Sequence, residues 1–114
     1  MSERKDDINS VAMEVILYAG NGREKIDNAL AKIAEKDLKT ADCLLKEAEE
    51  DIVRAHTAQT GIIQRQASGE DMEYSLLFIH AQDTIMTINT ELRMAQKMMP
   101  IIQMLMNQEE GRKL

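Results

Sequence analysis

Cysteine, proline and aromatic side chains are nearly missing from this sequence. Its 114 residues include one Cys, one Pro, two Tyr, one Phe and no Trp. A lone cysteine forms no disulfide within the chain and offers no spaced set of thiolates for a metal. Aromatic and β-branched strand signals are sparse, whereas Ala, Leu, Met, Glu, Lys and Gln are abundant and favour helices. We therefore expect one all-α domain covering residues 1–114.

Long hydrophobic runs and a basic surface are lacking as well. The longest apolar stretch, Met98 to Leu105, is interrupted by Pro100 and Gln103 and is far shorter than the ~20 residues of a membrane span. The N-terminus carries no apolar core of a signal peptide. A formal net charge of −6 without a basic patch argues against nucleic-acid binding. We expect a cytoplasmic protein that neither inserts into a membrane nor binds nucleic acid.

Apolar residues recur at alternating steps of three and four along three segments, which is typical of one face of a helix. The first segment runs from about Ile8 to Ala34. It keeps its phase through Gly20-Asn21-Gly22, which favours one continuous helix over a turn between two shorter ones. The second segment begins after Asp37, a suitable N-cap, and ends near Gly69, which suits a left-handed C-cap.

The third segment starts near Asp71 or Ser75 and runs towards Asn107. Pro100 lies inside it and removes a backbone hydrogen bond, so either the helix bends there or a short final helix follows. Three long helices with short connections predict an antiparallel up-down-up three-helix bundle. We expect frayed ends at about residues 1–6 and 108–114.

The third helix is apolar on most of its sides. Its main stripe at helical spacing consists of Leu76, Ile79, Asp83, Met86, Thr90, Met94, Ile101 and Leu105. Off this stripe lie Leu77, Phe78, Ile85, Ile88 and Leu92. A helix that is apolar on most sides is usually buried on most sides, and two partner helices do not cover that much surface. We therefore expect copies of the chain to associate with helix 3 at the centre.

Asp83 is the unusual member of this stripe. A lone buried carboxylate is strongly destabilising. It is tolerated if it pairs with Lys or Arg, if it is protonated, or if symmetry copies share a cation. Several carboxylates around an axis would form an all-oxygen site suited to a hard cation such as Mg²⁺. The alternative is that Asp83 faces solvent or accepts a hydrogen bond from a neighbouring side chain.

His80 lies one helical turn before Asp83 and is the candidate catalytic residue. An imidazole in a subunit groove can attack a phosphoryl group through one ring nitrogen; a hydrogen-bonded core or interface histidine is the alternative. His56 on the second helix is a supporting candidate, or else a boundary residue. Gln59 and Gln82 are suited to orient an imidazole or to donate to phosphate oxygens, although glutamines often merely connect helices.

These residues carry a family resemblance. The chain resembles the lactose/cellobiose-type IIA components of the bacterial sugar phosphotransferase system from about Val11 to Thr87. The strongest element is His80-Ala81-Gln82-Asp83 with Met86-Thr87. Supporting elements are Ser75-Leu76-Leu77, Tyr18-Ala19-Gly20 followed by Arg23, Ala41-Asp42, Glu47-Ala48, Ala55-His56 with Gln59-Thr60, and Ala67-Ser68-Gly69-Glu70.

The resemblance implies a homotrimer of three-helix subunits that acts as a phosphotransferase component. It implies that His80 accepts a phosphoryl group from the carrier protein HPr and passes it to a cysteine of a cognate IIB component. It further implies that Asp83 binds a metal on the trimer axis, one Mg²⁺ shared per trimer. The sugar, a β-linked disaccharide of the cellobiose, chitobiose or lactose type, is phosphorylated last.

Two features depart from the family pattern. The family usually has a second histidine at the position of Thr84, and Pro100 with its Met-rich surroundings is unusual. Two other functions stay open from the residues alone. A histidine phosphotransfer domain of two-component signalling also presents a histidine on a helical bundle, usually of four helices. In a non-catalytic oligomerisation or adaptor bundle, His80 and Asp83 would only fix the packing register.

Overall fold

Three long α-helices make up the chain. The computed structural model describes residues 7–113 and contains α1 (Ile8–Ala34), α2 (Leu38–Ala67) and α3 (Leu76–Lys113), with no strand in that range. The helices run up, down and up and form a rod of 70 × 23 × 19 Å. The prediction of an all-α three-helix bundle is confirmed. None of the helices in this range has both the length and the apolar character needed to cross a membrane.

The turns between the helices follow from the residues at the helix ends. Between α1 and α2, Lys36 has a positive φ of 66°, and Asp37 caps α2 by accepting the Thr40 backbone N–H at 3.1 Å. Hydrogen bonds from the side chain and the backbone N–H of Thr40 lower the pKa of the Asp37 carboxyl. After α2, Gly69 adopts φ 99°, the left-handed conformation that ends the helix. The predicted N-cap at Asp37 and C-cap at Gly69 are confirmed.

Helix α1 is continuous through its two glycines, as the phase of the stripe predicted. Gly22 is buried against α2. A Cβ at this position would lie 3.0 Å from Ile52 Cδ1 and 3.4 Å from the Ala48 carbonyl oxygen. At Gly20 nothing lies within 4 Å of the same ideal Cβ position. The absence of a side chain at Gly22 therefore lets α1 and α2 approach closely.

The core is built from small and branched side chains. Alanines at the helix contacts are fully buried, so the backbones lie close together; they include Ala12, Ala19, Ala29, Ala41, Ala48, Ala55 and Ala81. The largest side chains with almost no exposure are Val15, Ile26, Leu45, Ile85, Ile88 and Leu92. A domain of this length must bury most of its apolar side chains to offset the loss of chain entropy on folding.

A partly buried ion pair joins α1 and α2. Lys25 Nζ donates to Asp51 Oδ2 at 2.5 Å, and only 9% of the Asp51 side chain is exposed. The hydrogen bond to this carboxylate raises the pKa of Lys25 above its usual value. A buried carboxylate is tolerated here because its charge is compensated directly.

The face of α3 that packs within the chain differs from the predicted stripe. The side chains that contact α1 and α2 are Phe78, Ala81, Ile85, Ile88, Leu92 and Ala95. The stripe that begins with Leu76 and Ile79 lies on the opposite side and is exposed, with Leu76 at 68% and Met86 at 61% exposure. The helix α3 therefore has two apolar faces. The helices α1 and α2 cover the face that contains Phe78, Ile85 and Leu92, which lies off the predicted stripe.

The C-terminal part of α3 contains the one proline of the sequence. The helix passes through Pro100 as one element and continues to Lys113; fraying at about residues 108–114 stays a prediction. The Lys36 ammonium pairs with the Glu109 carboxylate at 3.1 Å and ties this end to the turn between α1 and α2. Residues 1–6 and 114, where we also expected fraying, lie outside the described residues.

Candidate functional site

His80 lies in the second turn of α3 and is exposed. Ser75 directly precedes α3; its Oγ accepts the Phe78 backbone N–H at 3.0 Å and donates to Asn9 Oδ1 at 2.5 Å. Glu91, eleven residues after His80 and therefore on the same face, lies 3.6 Å from Arg23 of α1. The imidazole thus occupies the flank of α3 that faces α1, near the end of the bundle where both helices begin.

The surroundings of His80 leave its ring accessible. Its imidazole makes no hydrogen bond or ion pair with any residue in the described range. Leu76 and Ile79, on the preceding turn, are 68% and 40% exposed. The register set by Ser75 and Asn9 brings Met13 of α1, itself 53% exposed, to about the same level. An accessible imidazole inside an apolar surface suits approach by a protein rather than by a small polar molecule.

Asp83 follows His80 by three residues and is exposed in the single chain. Its burial between associated copies stays a prediction. Asp83 lies on the outward stripe between Ile79 and Met86, and within residues 7–113 it forms no ion pair. No group of three or more His, Cys, Asp or Glu side chains in this range is arranged to hold a metal. A carboxylate oxygen is a ligand for a hard cation. One chain supplies a single such ligand here, so further ligands would have to come from other chains.

Three threonines on α3 bond back to the helix. The hydroxyls of Thr84, Thr87 and Thr90 donate to the carbonyl oxygens four residues earlier, at 2.8, 2.8 and 3.0 Å. Thr84 is the residue at which the sequence departs from the second histidine of the family pattern. Because its hydroxyl hydrogen is donated to the His80 carbonyl oxygen, Thr84 has no donor left for the imidazole or for a group bound to it.

The supporting residues proposed from the sequence do not meet His80 within one chain. Gln96 Nε2 donates to Glu49 Oε1 at 3.0 Å, so these two residues lie at the same level of the antiparallel helices α2 and α3. His80 lies sixteen residues before Gln96, and residue 65 lies sixteen residues after Glu49. Residue 65 of α2 is therefore level with His80. His56 is therefore displaced by about 13 Å along the rod. Gln82 lies two residues after His80 and about 200° around the helix. Gln82 therefore lies on a different flank of α3 from the imidazole, and His56 lies on another helix.

Gln59 is 8% exposed, and its Oε1 has no hydrogen-bond partner within the described residues. It belongs to the buried face of α2 together with Ala55 and Ile62. A buried amide oxygen without a partner costs free energy, of order 1–3 kcal/mol. The single chain therefore gives Gln59 an internal position and no contact with His80.

An open groove of about 790 Å³ lies between α2 and α3. Ile52 and Leu92 form its apolar floor, and His56, Asn89 and Arg93 lie along its polar rim. Sequence reasoning missed this groove and its arginine. The available signal was the spacing of Gln82, Asn89 and Gln96, seven residues apart, which places a row of amides on the flank of α3 that faces α2.

Comparison with known proteins assigns the chain to a family. The model of the family described as "PTS system, Lactose/Cellobiose specific IIA subunit" matches residues 10–103. The chain belongs to this family. It is 39% identical over 83 residues to the lactose-specific EIIA component of Staphylococcus epidermidis, covering 73% of this chain and 80% of that protein. It is 33% identical to the lichenan-specific phosphotransferase enzyme IIA component of Bacillus subtilis, over 90% of this chain and 94% of that protein.

Solved structures agree with this assignment. The crystal structure of the cellobiose-specific enzyme IIA of Bacillus anthracis has a TM-score of 0.82 at 32% identity and covers 91% of this chain and 95% of that one. The family resemblance seen in the sequence is confirmed, and the chain is a IIA subunit of a sugar phosphotransferase system. In this IIA subunit, α3 continues for ten residues beyond the end of the family match.

Proposed function

We propose that this IIA subunit carries a phosphoryl group on His80, accepted from phosphorylated HPr and delivered to the cysteine of a cognate IIB component. One ring nitrogen of the neutral imidazole attacks the phosphorus, and a P–N bond forms while the P–N bond of the donor histidine breaks. In the second transfer the IIB thiolate attacks the phosphorus, an S–P bond forms, and His80 is released as free imidazole. The phosphoryl group moves without a net oxidation or reduction.

The observation that carries this proposal is the accessibility of the His80 ring. The imidazole is exposed, makes no side-chain hydrogen bond within residues 7–113, and is bordered by exposed apolar side chains of α3. Phosphoryl transfer between two proteins depends mostly on positioning and charge control, and an accessible ring on a rigid helix meets the first condition. Because residue 84 is a threonine whose hydroxyl donates to the His80 carbonyl oxygen, its side chain has no donor for the His80 ring.

We further propose that three copies assemble around the exposed stripe of α3 and that their Asp83 carboxylates converge. Like charges at one level repel each other, and a phosphoryl group on His80 adds up to about two more negative charges one turn away. A hard cation such as one Mg²⁺ per trimer, when bound, offsets this negative charge. Asp83 would hold it through a carboxylate oxygen, which is the donor chemistry that such a cation prefers.

The sugar class follows from the relatives. The names of the similar proteins specify lactose, lichenan and cellobiose, so we propose a β-linked disaccharide as the final acceptor. Because a IIA subunit exchanges phosphoryl groups only with HPr and IIB, its own residues need not contact the sugar. A cytoplasmic location is part of this proposal, since its phosphoryl donor, phosphorylated HPr, acts there.

A labelling assay tests the acceptor. The chain is incubated with phosphoenolpyruvate carrying a labelled phosphoryl group, the upstream kinase and HPr. We expect acid-labile label on the wild type and on His56→Ala, and none on His80→Ala. His56 is the matched control because it is the only other histidine and is also exposed. Label that survives His80→Ala contradicts the assignment of the acceptor, and an unlabelled wild type would favour an adaptor bundle.

The role of Asp83 is tested by metal content and transfer together. We expect the purified assembly to hold a divalent cation that is lost in Asp83→Asn, with slower transfer from HPr in that variant. If both the bound metal and the rate of transfer are unchanged in Asp83→Asn, the proposed cation site is wrong, while the assignment of His80 stands.

A further inference from the structure

The groove between α2 and α3 is not used by the proposed phosphoryl transfer. It lies on the flank of α3 that faces α2, whereas His80 lies on the flank that faces α1. Its volume of about 790 Å³ falls within the roughly 300–1,000 Å³ of small-molecule sites. Its walls are two helices, and Ile52 and Leu92 at its floor belong to the core. The packing of the bundle therefore forms this groove in advance of any ligand.

The register between α2 and α3 brings polar side chains of both helices to the same place along the groove. Gln96 and Glu49 contact each other at the end farther from His80. Asn89 lies seven residues before Gln96, and His56 lies seven residues after Glu49, so these two residues are level on opposite walls. Arg93 follows Asn89 by four residues and lies beside it on the same flank of α3. The α3 wall thus presents an amide and a guanidinium one helical turn apart.

The donors on this wall are not used within the chain. Arg93 is exposed and forms no ion pair with any residue between 7 and 113. The amide of the half-buried Asn89 makes no hydrogen bond in the same range. Glu49 is the single carboxylate among the lining residues, and its Oε1 accepts the Gln96 amide. Because a guanidinium holds an oxyanion through two parallel hydrogen bonds, the wall suits a ligand that carries a phosphate or carboxylate group.

The other lining residues narrow the class of ligand. None of them is Phe, Tyr or Trp, so a nucleotide base would find no aromatic side chain on which to stack. The aliphatic floor of Ile52 and Leu92 suits the C–H face of a sugar ring, which loses contact with water there. The Thr60 hydroxyl and the two amides, of Asn89 and Gln96, match the donors and acceptors of sugar hydroxyl groups. A sugar that carries a phosphate group combines these properties.

We propose that this groove binds a sugar phosphate, with the phosphate group on Arg93 and the sugar over Ile52 and Leu92. The choice of ligand rests on the proposed function, in which a β-linked disaccharide leaves the transport system as a phosphate ester. The net charge of −6 repels an anion at long range, so binding depends on the local donors. The IIA subunit thereby binds the end product of the reaction to which it contributes.

Calorimetric titration and methyl NMR of the full chain test this inference. The probe is cellobiose 6′-phosphate, and cellobiose and inorganic phosphate are titrated separately. We expect saturable binding of the sugar phosphate with shifts of the Ile52 and Leu92 methyl signals, and weaker binding of either part alone. Arg93→Met should weaken binding roughly tenfold or more, because charge-assisted hydrogen bonds are lost.

Arg54→Met is the matched control for the charge. It removes the same positive charge from α2, but from the flank that faces α1, where the guanidinium carbon of Arg54 lies 5.8 Å from the centroid of the Tyr18 ring. We expect its affinity for the sugar phosphate to equal that of the wild type. Asn89→Leu removes the neighbouring amide and leaves every charge in place. It should also weaken binding, and it decides by the same criterion if Arg93→Met loses its helical circular dichroism.

The outcomes separate this inference from the proposed function. Four results would each overturn the inference: no saturable binding of the sugar phosphate, equal affinity for inorganic phosphate, unchanged affinity in Arg93→Met, or an equal loss in Arg54→Met. Labelling of His80 is measured on the same samples. A chain that is labelled but does not bind the sugar phosphate refutes this inference alone. A chain that binds the sugar phosphate but is not labelled refutes the proposed phosphoryl acceptor alone.

Discussion

Two glycines of α1, two residues apart, are expected to respond differently to the same substitution. Gly20 faces open space, whereas a Cβ on Gly22 would lie 3.0 Å from Ile52 Cδ1. Replacing a glycine inside a helix by alanine stabilises the folded state by about 1 kcal/mol. We expect the full gain for Gly20→Ala, because the new methyl group meets nothing.

At Gly22 the same gain is offset by overpacking. Ile52 is 3% exposed, so its terminal methyl group has little space to move away. The Ala48 carbonyl oxygen, 3.4 Å from the added Cβ, belongs to the backbone of α2 and yields less easily. Overpacking a well-filled core costs roughly 1–3 kcal/mol. We expect Gly22→Ala to lie between neutral and about 2 kcal/mol less stable than the wild type.

Urea unfolding followed by helical circular dichroism measures both variants. Protein concentration is held equal throughout, since association contributes to the apparent stability. Ile52→Val removes Cδ1 and supplies the missing space. Gly22→Ala should therefore be tolerated better in the Ile52→Val background than in the wild type. Equal free energies of unfolding for Gly20→Ala and Gly22→Ala would refute the close approach of α1 and α2 at this point.

Two further predictions concern charges at fixed positions. Lys25→Met leaves the Asp51 carboxylate buried without its partner. Because water reaches this partly exposed pair, we expect the free energy of unfolding in urea to fall by about 2–3 kcal/mol. Adding Asp51→Leu should recover most of this loss, and no recovery would contradict the pairing. The pKa of Asp37 is lower in the folded chain than its ordinary value of about 3.8. The ionised cap therefore contributes fully to the free energy of unfolding above the ordinary pKa, and this contribution is lost as the pH falls through the lower pKa of the folded state. Asp37→Asn should accordingly lose less stability than the wild type between neutral pH and about pH 2–3, as measured by urea midpoints, and equal losses would argue against an ionised cap.

The ends of the helices were predictable because local chemistry determines them. Asp37 and Gly69 act through their own backbone and nearest neighbours, so a single sequence contains the needed information. The continuity of α1 through Gly20 and Gly22 was predictable from phase, since a stripe that keeps its spacing requires an unbroken helix. In each case the decisive interaction lies within one or two helical turns, or within one regular face.

The orientation of α3 was not predictable in the same way. A helix with two apolar faces gives no local sign of which face its own chain covers and which one is left for other molecules. Phe78 and Ile85 lie off the predicted stripe, yet they belong to the core in which α3 packs against α1 and α2. The Lys36–Glu109 pair near the end of α3 is likewise a tertiary contact that sequence periodicity does not reveal.

The candidate site was predictable in its residues and not in their arrangement. His80 and Asp83 stand out because polar groups are unusual on an apolar helix. Their separation from His56, Gln59 and Gln82 depends on the register between helices, which the Glu49–Gln96 and Asn9–Ser75 contacts determine. Residues that share a motif in the chain therefore need not share a surface in the fold.

The length of the rod separates the two ends of this subunit by function. His80 lies one turn after the start of α3, and the last described turn of that helix is 33 residues farther on, or about 50 Å away. Helix α1 begins at the same end as the imidazole, because Asn9 contacts Ser75. A dye or affinity handle attached after residue 113 would stand clear of a docking phosphoryl donor, whereas one attached before residue 7 would share the donor's end of the molecule.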